Sequence, residues 1–353
     1  MSHTELVIWA GLAIGLVFGV TSQVTGFCLQ RGLSHAVKQN DSRKLRAFVV
    51  AMATALLGSQ GLAASGQVSL AASLYATPTL AWLALPLGGL LFGYGMALAN
   101  GCGARALVLL GSGNLRSFVV LMCLGLAAYM TLSGVLAPWR LWLENLAVVR
   151  LPAPSLPLLL GVPGWLVAMV TGGALLLWAF SNRKFRASPR DWLGGLIIGA
   201  LIPAGWYTTG VLGFDDFEPI RLVSLTFVAP IGESLQYLML ATGSRLGFAV
   251  CVVAGVVLGA LIAALPRREF ILCSFDSPAH MLRGIAGGTL MGIGGVLALG
   301  CSIGQGLTGI STLSLASFLA VAGIVLGSLL GLRGPLMTEI GRAVQQECRD
   351  RCR

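Results

Sequence analysis

Three of the eight cysteines share a setting that the others lack. Cys28 lies in TGFCLQRG, Cys102 in NGCGAR and Cys301 in LGCSIGQG. Each follows a long apolar run and has glycine close by, where the backbone can turn sharply or approach a neighbour. Gly101 and Gly103 flank Cys102, and Gly300 and Ser302 flank Cys301. A neutral thiol is a weak hydrogen-bond donor. A short helix that starts after such a break aims free N–H groups and a positive dipole end at whatever lies beside the thiol. Together these features suit a small anion.

Other chemistries find less support. No C-x-x-C pair occurs, and His3, His35 and His280 are scattered with no metal-type His/Cys spacing. A metal site is therefore not expected, nor is a cofactor. No GxxxxGK[ST] loop is present to drive transport with ATP. Cys123 and Cys251 lie inside long apolar runs and read as small core residues, while Cys273 reads as a loop thiol. Cys348 and Cys352 form a C-x3-C spacing in a charged tail that reads as dispensable. Glu233, a carboxylate between apolar runs, is costly in a membrane and marks a candidate functional position. It either lines an outer vestibule or caps the helix that follows. Arg105, three residues after Cys102, either attracts an anion at a cytoplasmic exit or anchors the topology.

The elements that must position these residues are membrane helices. The chain has 353 residues, 56% hydrophobic and 10% charged, with a mean hydropathy of +0.86. Soluble domains carry roughly 25% charged residues, and disorder needs low hydrophobicity. No Asp, Glu, Lys or Arg occurs in 6–30, 47–104, 117–139, 151–182, 192–214, 246–266 or 284–332. A spanning helix needs about 20 apolar residues, so the two longest windows hold two each. The ten-residue alternation of a transmembrane barrel is absent. The run 6–22 has no basic residues before it and no A-x-A site after it, so it reads as a retained helix. Spans are expected at 5–24, 47–65, 81–99, 117–135, 161–180, 192–211, 246–265, 284–300 and 313–331. Segment 222–243, interrupted by Pro230, Gly232 and Glu233, reads as a re-entrant hairpin. Segment 136–160, with Trp139 and Trp142, reads as an external interfacial stretch. The expected fold is thus an all-α polytopic membrane protein with about nine transmembrane helices plus short re-entrant helices.

The net charge of +10 does not imply nucleic acid. With the N-terminus outside, 19 of the 23 Lys/Arg fall in inside segments, the positive-inside pattern. The acidic loop residues Asp215, Asp216 and Glu218 then lie outside. The charge sets topology in the lipid bilayer, with a periplasmic N-terminus and a cytoplasmic C-terminus.

The chain also repeats itself. GGLLFGYGMALANGCGA (88–104) aligns with GGTLMGIGGVLALGCSI (287–303) at an offset of 199, matching five glycines and Cys102 with Cys301. A weaker offset of 184 pairs Gly11, Gly15 and Gly26 with Gly195, Gly199 and Gly210, and sets Leu212 against Cys28. The first repeat is expected over 1–180, the second over 191–332, and a cytoplasmic tail over 333–353. The charge pattern gives the halves opposite orientation, an inverted pseudo-two-fold repeat of the kind common in transporters. G-x-x-x-G spacings at 11–15, 15–19 and 195–199 predict close helix packing.

The three motifs GFCLQRG, GGLLFGYGMALANGCGAR and GGTLMGIGGVLALGCSIGQG resemble those of the YeeE/YedE family of sulfur-transport membrane proteins, over about residues 11–331. The resemblance implies a thiosulfate uptake protein of the bacterial inner membrane, with nine spanning helices, inward-pointing short helices and three pore cysteines. By motif those are Cys28, Cys102 and Cys301. It also implies a cytoplasmic partner, a small TusA-like sulfur carrier. Thiosulfate, a small dianion with a terminal sulfur, would pass stepwise between neutral thiols through S–H hydrogen bonds. The alternatives are a channel or transporter for another sulfur or selenium species, and a membrane thiol–disulfide oxidoreductase. The latter would need two cysteines with Cα atoms within about 7 Å.

Overall fold

The computed structural model describes residues 3–150, 153–214, 221–243, 245–275 and 277–333. The acidic loop residues Asp215, Asp216 and Glu218, the tail beyond Arg333 and Cys348 and Cys352 lie outside the described residues. The chain is mostly helical. It runs through α1 (His3–Thr25), α2 (Leu29–Lys38), α3 (Arg43–Ala64), the short strand β1 (Thr79–Ala81), α4 (Ala84–Leu98), α5 (Gly103–Gly111) and α6 (Leu115–Leu132). It continues through α7 (Ala137–Leu146), β2 (Val148–Arg150), α8 (Leu156–Leu160), α9 (Gly164–Phe180), α10 (Arg183–Arg186) and α11 (Pro189–Tyr207), which passes into a π-helical turn (Thr208–Leu212). Then follow α12 (Val228–Met239), α13 (Phe248–Ala264), α14 (Pro278–Leu297), a second π-helical turn (Gly304–Gly309) and α15 (Leu315–Arg333).

Polarity is arranged for a bilayer. Trp9, Leu126, Val170, Leu177, Leu258 and Leu330 face outward, whereas Gln23, Gln30, Gln60, Thr131, Thr308 and Ser328 are buried. Among the described residues, five helical stretches are long and apolar enough to cross a membrane: His3–Lys38, Arg43–Ala64, Leu115–Leu132, Pro189–Leu212 and Leu315–Arg333. Gly164–Phe180 and Phe248–Ala264 are apolar but shorter. The chain is therefore a multi-pass membrane protein. Besides Gly164–Phe180 and Phe248–Ala264, two further expected spans have less reach than their charge-free windows suggest. The 15 residues of α4 cover about 22 Å of a hydrocarbon layer about 30 Å thick. The 20 residues of α14 include His280 and Arg283 near its start.

Two segments differ in detail from the sequence reading. Segment 136–160 is not purely helical or irregular: β2 pairs antiparallel with β1, Thr79 opposite Arg150, a small departure from an all-α fold. In segment 222–243 the residues before Phe227 carry no regular structure, and α12 starts directly after it. Pro230 does not break this helix, because it sits in the first turn, where its missing N–H would have no intrahelical partner.

Glycine seams hold the bundle together. A Cβ at Gly15 of α1 would lie 2.3 Å from the Val252 carbonyl oxygen of α13, and one at Gly259 of α13 would lie 2.2 Å from the Leu16 oxygen of α1. On α11, a Cβ at Gly195 would lie 2.4 Å from the Ala47 oxygen of α3. The G-x-x-x-G spacings thus do mark close backbone contacts. In the longer motif the glycines divide between two seams. Gly88 and Gly95 of α4 face Gly294 and Gly287 of α14, while Gly89 and Gly93 face α15. Gly288 and Gly292 of α14 face α6 in turn.

A methyl group at Gly93 would sit 2.1 Å from the Ile324 oxygen, so α4 and α15 would have to separate. Gly93→Ala should destabilise the protein by about 1–3 kcal/mol. Gly61, with nothing near its missing Cβ, should accept alanine with no loss. Thermal unfolding in detergent would show it: Gly93→Ala melts several degrees below Gly61→Ala, and equal melting temperatures would contradict the seam.

Candidate functional site

The site forms where helices stop inside the bundle. α4 ends with Asn100 in the left-handed region (φ 56°), and the Gly101 N–H donates to the Met96 oxygen at 3.0 Å. α14 ends the same way, with Leu299 at φ 57° and the Gly300 N–H donating to the Gly295 oxygen at 2.8 Å. These 6→1 bonds satisfy carbonyls that a helix end leaves open. Leucine in this conformation is strained by about 1–3 kcal/mol. α1 ends at Gly26 (φ 65°), whose N–H donates to the Ser22 oxygen at 2.9 Å.

Each break delivers one cysteine to the start of the next helix. Cys28 and Cys102 are the residues immediately before α2 and α5, both with extended backbone. Cys301 precedes the second π-helical turn, and its Sγ accepts from the Gly304 N–H at 3.2 Å. All three are buried, at 5%, 3% and 1% exposure, and all are free thiols.

All three thiols belong to one buried cluster. Cys28 and Cys102 are close neighbours that influence each other electrostatically. The Ser302 hydroxyl lies beside the Cys102 thiol, and Cys301 is its chain neighbour. Cys301 in turn meets the Thr226 hydroxyl and the Phe227 N–H. Two buried polar atoms here, Ser302 Oγ and Gln305 Oε1, have no partner in hydrogen-bond geometry among the described residues. The surroundings are apolar. Phe27 stacks on Phe48 with centroids 5.5 Å apart, and Phe18 packs against Phe227 at 5.2 Å. A Cβ at Gly103 would lie 3.1 Å from both Ile231 and Leu124.

Sequence reasoning missed three residues at the Cys301 end. Thr226 and Phe227 lie in an irregular segment with no motif. Tyr75, from the connection between α3 and β1, is within electrostatic reach of Cys301. A Cβ at Gly304 would lie 2.5 Å from Thr226 Oγ1 and 3.5 Å from the Tyr75 hydroxyl. Only the tertiary packing, including the edge-on contact of Tyr75 with Trp206, brings them in. Leu212, set against Cys28 by the offset of 184, starts no helix and ends a π-helical turn. The residue that precedes α12, as Cys28 precedes α2, is Phe227.

The secondary candidates separate. Arg105 is buried at 7% exposure in the first turn of α5 and acts electrostatically on Cys28. Glu233 lies within α12 and so caps no helix. Its carboxyl reaches the phenol of Tyr129 and the charge of Arg221, not the thiols. Cys123, Cys251 and Cys273 stand outside the thiol cluster. No group of three or more His, Cys, Asp or Glu suited to a metal ion occurs among the described residues.

Buried thiols, helix starts and the Ser302 hydroxyl can donate hydrogen bonds to a small polar solute, and Gln305 Oε1 can accept one, while bulk water is excluded. Two known proteins are similar to the chain over nearly its whole length. One is the "Thiosulfate transporter TsuA" of Spirochaeta thermophila, 30% identical over 335 residues, covering 91% of this chain and 97% of that protein. The other is the "Thiosulfate transporter TsuA" of Escherichia coli, 26% identical over 349 residues, covering 91% and 92%. The sulphur-transport family matches over residues 24–330, which take in all three thiol motifs and both glycine seams of α4, and the chain belongs to that family.

Proposed function

We propose that this protein takes up thiosulfate across the bacterial inner membrane through a narrow path lined by Cys28, Cys102 and Cys301. The three buried thiols of one cluster, each following a helix break, carry this reading, and the two relatives named thiosulfate transporters support the substrate. Removing a dianion from water is expensive. N–H groups at the starts of α2 and α5, the backbone around Gly101 and Gly103, and the Ser302 hydroxyl would offset part of that cost. Thiols add weak, soft donors suited to a terminal sulfur. Several weak sites in succession permit release as well as entry. Arg105 would draw the anion toward the cytoplasm, and Glu233 would border the outer approach.

The reading includes nine crossings arranged as two inverted halves, with the N-terminus periplasmic and the C-terminus cytoplasmic. Reciprocal packing supports the halves: α4 meets α14 and α15, and α14 meets α4 and α6. The matching turns at Asn100 and Leu299 support them too. A cytoplasmic TusA-like carrier would receive sulfur at the basic loops 31–46 and 181–191.

The closeness of Cys28 and Cys102 leaves room for a second reading, a thiol–disulfide oxidoreductase for which this pair would be the redox couple. Non-reducing mass spectrometry of protein taken from cells during thiosulfate uptake separates the two. Free thiols throughout fit a transporter, and an accumulating Cys28–Cys102 disulfide fits the oxidoreductase.

A strain without its own thiosulfate importers, grown on thiosulfate as sole sulfur source, tests the main reading. Wild type and Cys123→Ser should restore growth. Cys28→Ser, Cys102→Ser and Cys301→Ser, at matched membrane levels, should lower uptake at least tenfold. Normal uptake by Cys102→Ser would overturn the thiol path. Gly304→Val, which drives a side chain into Thr226 beside Cys301, should likewise block uptake without removing a thiol, and unimpaired transport by it would take the path away from Cys301.

A further inference from the structure

Behind the Cys28–Cys102 pair lies a cavity of about 350 Å³ at the basic end of the bundle. It is walled by the last turn of α1, the starts of α3 and α11, the first turns of α2 and α5, and Glu269 after α13. Its lining holds five cationic side chains (Arg31, Arg43, Lys44, Arg105 and Arg190) against two carboxylates, Asp191 and Glu269, and Arg43 is also paired with Asp41 at 2.8 Å. Both lining carboxylates are engaged. Lys44 Nζ donates to Asp191 Oδ1 at 2.6 Å, and Glu269 accepts from Gln23 at 2.9 Å and faces Arg267 at 3.5 Å.

Two of the cations stand where helix electrostatics disfavours them. Arg31 is the third residue of α2 and Arg105 the third of α5, and neither helix has an acidic residue in its first turn. The start of a helix carries about half a positive charge and favours anions. Two guanidinium groups beside two such ends, one of them buried, concentrate positive charge on one wall of the cavity, a setting that favours an anion. The Arg31 guanidinium folds back toward the break itself, since a Cβ at Gly26 would lie 2.8 Å from its Nη1.

We propose that this cavity binds a tetrahedral oxyanion dianion, with Arg31 and Arg105 as its principal ligands. It deepens the transport reading by giving the substrate a resting place between the thiols and the cytoplasm, where other cytosolic oxyanions compete with it. An anionic lipid headgroup offers the same chemistry from a different source.

Sulfate is the probe, because it is a tetrahedral dianion without a terminal sulfur for the thiols to recognise. The full-length protein in phosphatidylcholine nanodiscs is titrated with sodium sulfate by calorimetry at low ionic strength. One saturable site is expected. It should weaken at least tenfold in Arg31→Gln, recover most of its affinity in Arg31→Lys, and weaken steeply with added sodium chloride. It should persist in Cys301→Ser and in Arg140→Gln, whose arginine is paired with Glu144 away from the cavity. Unchanged affinity in an Arg31→Gln protein of wild-type melting temperature would overturn the proposal. So would equal loss in Cys301→Ser, which would put sulfate among the thiols. Full exclusion of sulfate by phosphatidylglycerol nanodiscs would assign the cavity to a lipid headgroup and overturn the resting-place role. Because the readout is binding, failed thiosulfate uptake with intact Arg31-dependent sulfate binding would sink the transport reading alone.

Discussion

A helix that stops inside a membrane leaves carbonyls open at its end, and the next helix begins with open N–H groups. Lipid cannot satisfy either, and each unsatisfied group costs several kcal/mol. Much of this structure follows from that constraint. The turns at Asn100 and Leu299 close two helix ends with the same 6→1 bond. The residue after each turn pair is a cysteine, whose sulfur can face the N–H groups of the following helix. At Cys301 that relation is a direct contact with the Gly304 N–H. The breaks are tolerable only because they are buried against one another. That same burial brings the thiols together.

Sealing the breaks requires helices that approach more closely than ordinary side chains allow. The long motif does both jobs with different residues. Gly88, Gly89, Gly93 and Gly95 give α4 two flat faces, one for α14 and one for α15. Asn100, Gly101 and Cys102 then make the turn and carry the chemistry. Most of the likeness between 88–104 and 287–303 is therefore architectural. The strain at Leu299, where its counterpart is the more tolerant Asn100, is carried by the same packing: Ala298 beside it is fully buried.

The sequence made the membrane helices readable because lipid tolerates few charges. The expected span 5–24 became His3–Thr25, and 117–135 became Leu115–Leu132. That Cys102 and Cys301 follow helix ends was readable from the repeat, and that Cys28 does so from its motif. Other features had no local signal. Tyr75, Thr226 and Phe227 lie in irregular segments without periodicity, and only the packing of distant helices brings them to Cys301. The β1–β2 ribbon joins residues about 70 positions apart, on either side of α4–α7. The continuity of α12 through Pro230 was not legible either, because a proline in a first turn leaves the helix intact. The basic cavity could not be foreseen either, since Arg31, Arg105 and Arg190 belong to three charged segments far apart in the chain that the positive-inside rule already explained.

The separation of thiols from guanidinium groups has an energetic logic under the transport reading. A dianion 4 Å from one guanidinium gains about 8 kcal/mol at an effective dielectric of 20. Desolvation of both partners cancels part of this gain, and the remainder is a well poorly suited to the middle of a path. A hydrogen bond from a neutral thiol is far weaker, so successive thiols give shallow wells of similar depth. Strong charge is useful at the end of the path, where water and salt enter the cavity and screen it. The first-turn positions of Arg31 and Arg105 put that charge at the threshold, one helical turn beyond Cys28 and Cys102. An anion leaving the thiols thus meets a rising attraction that fades again as it becomes hydrated, which favours exit without trapping.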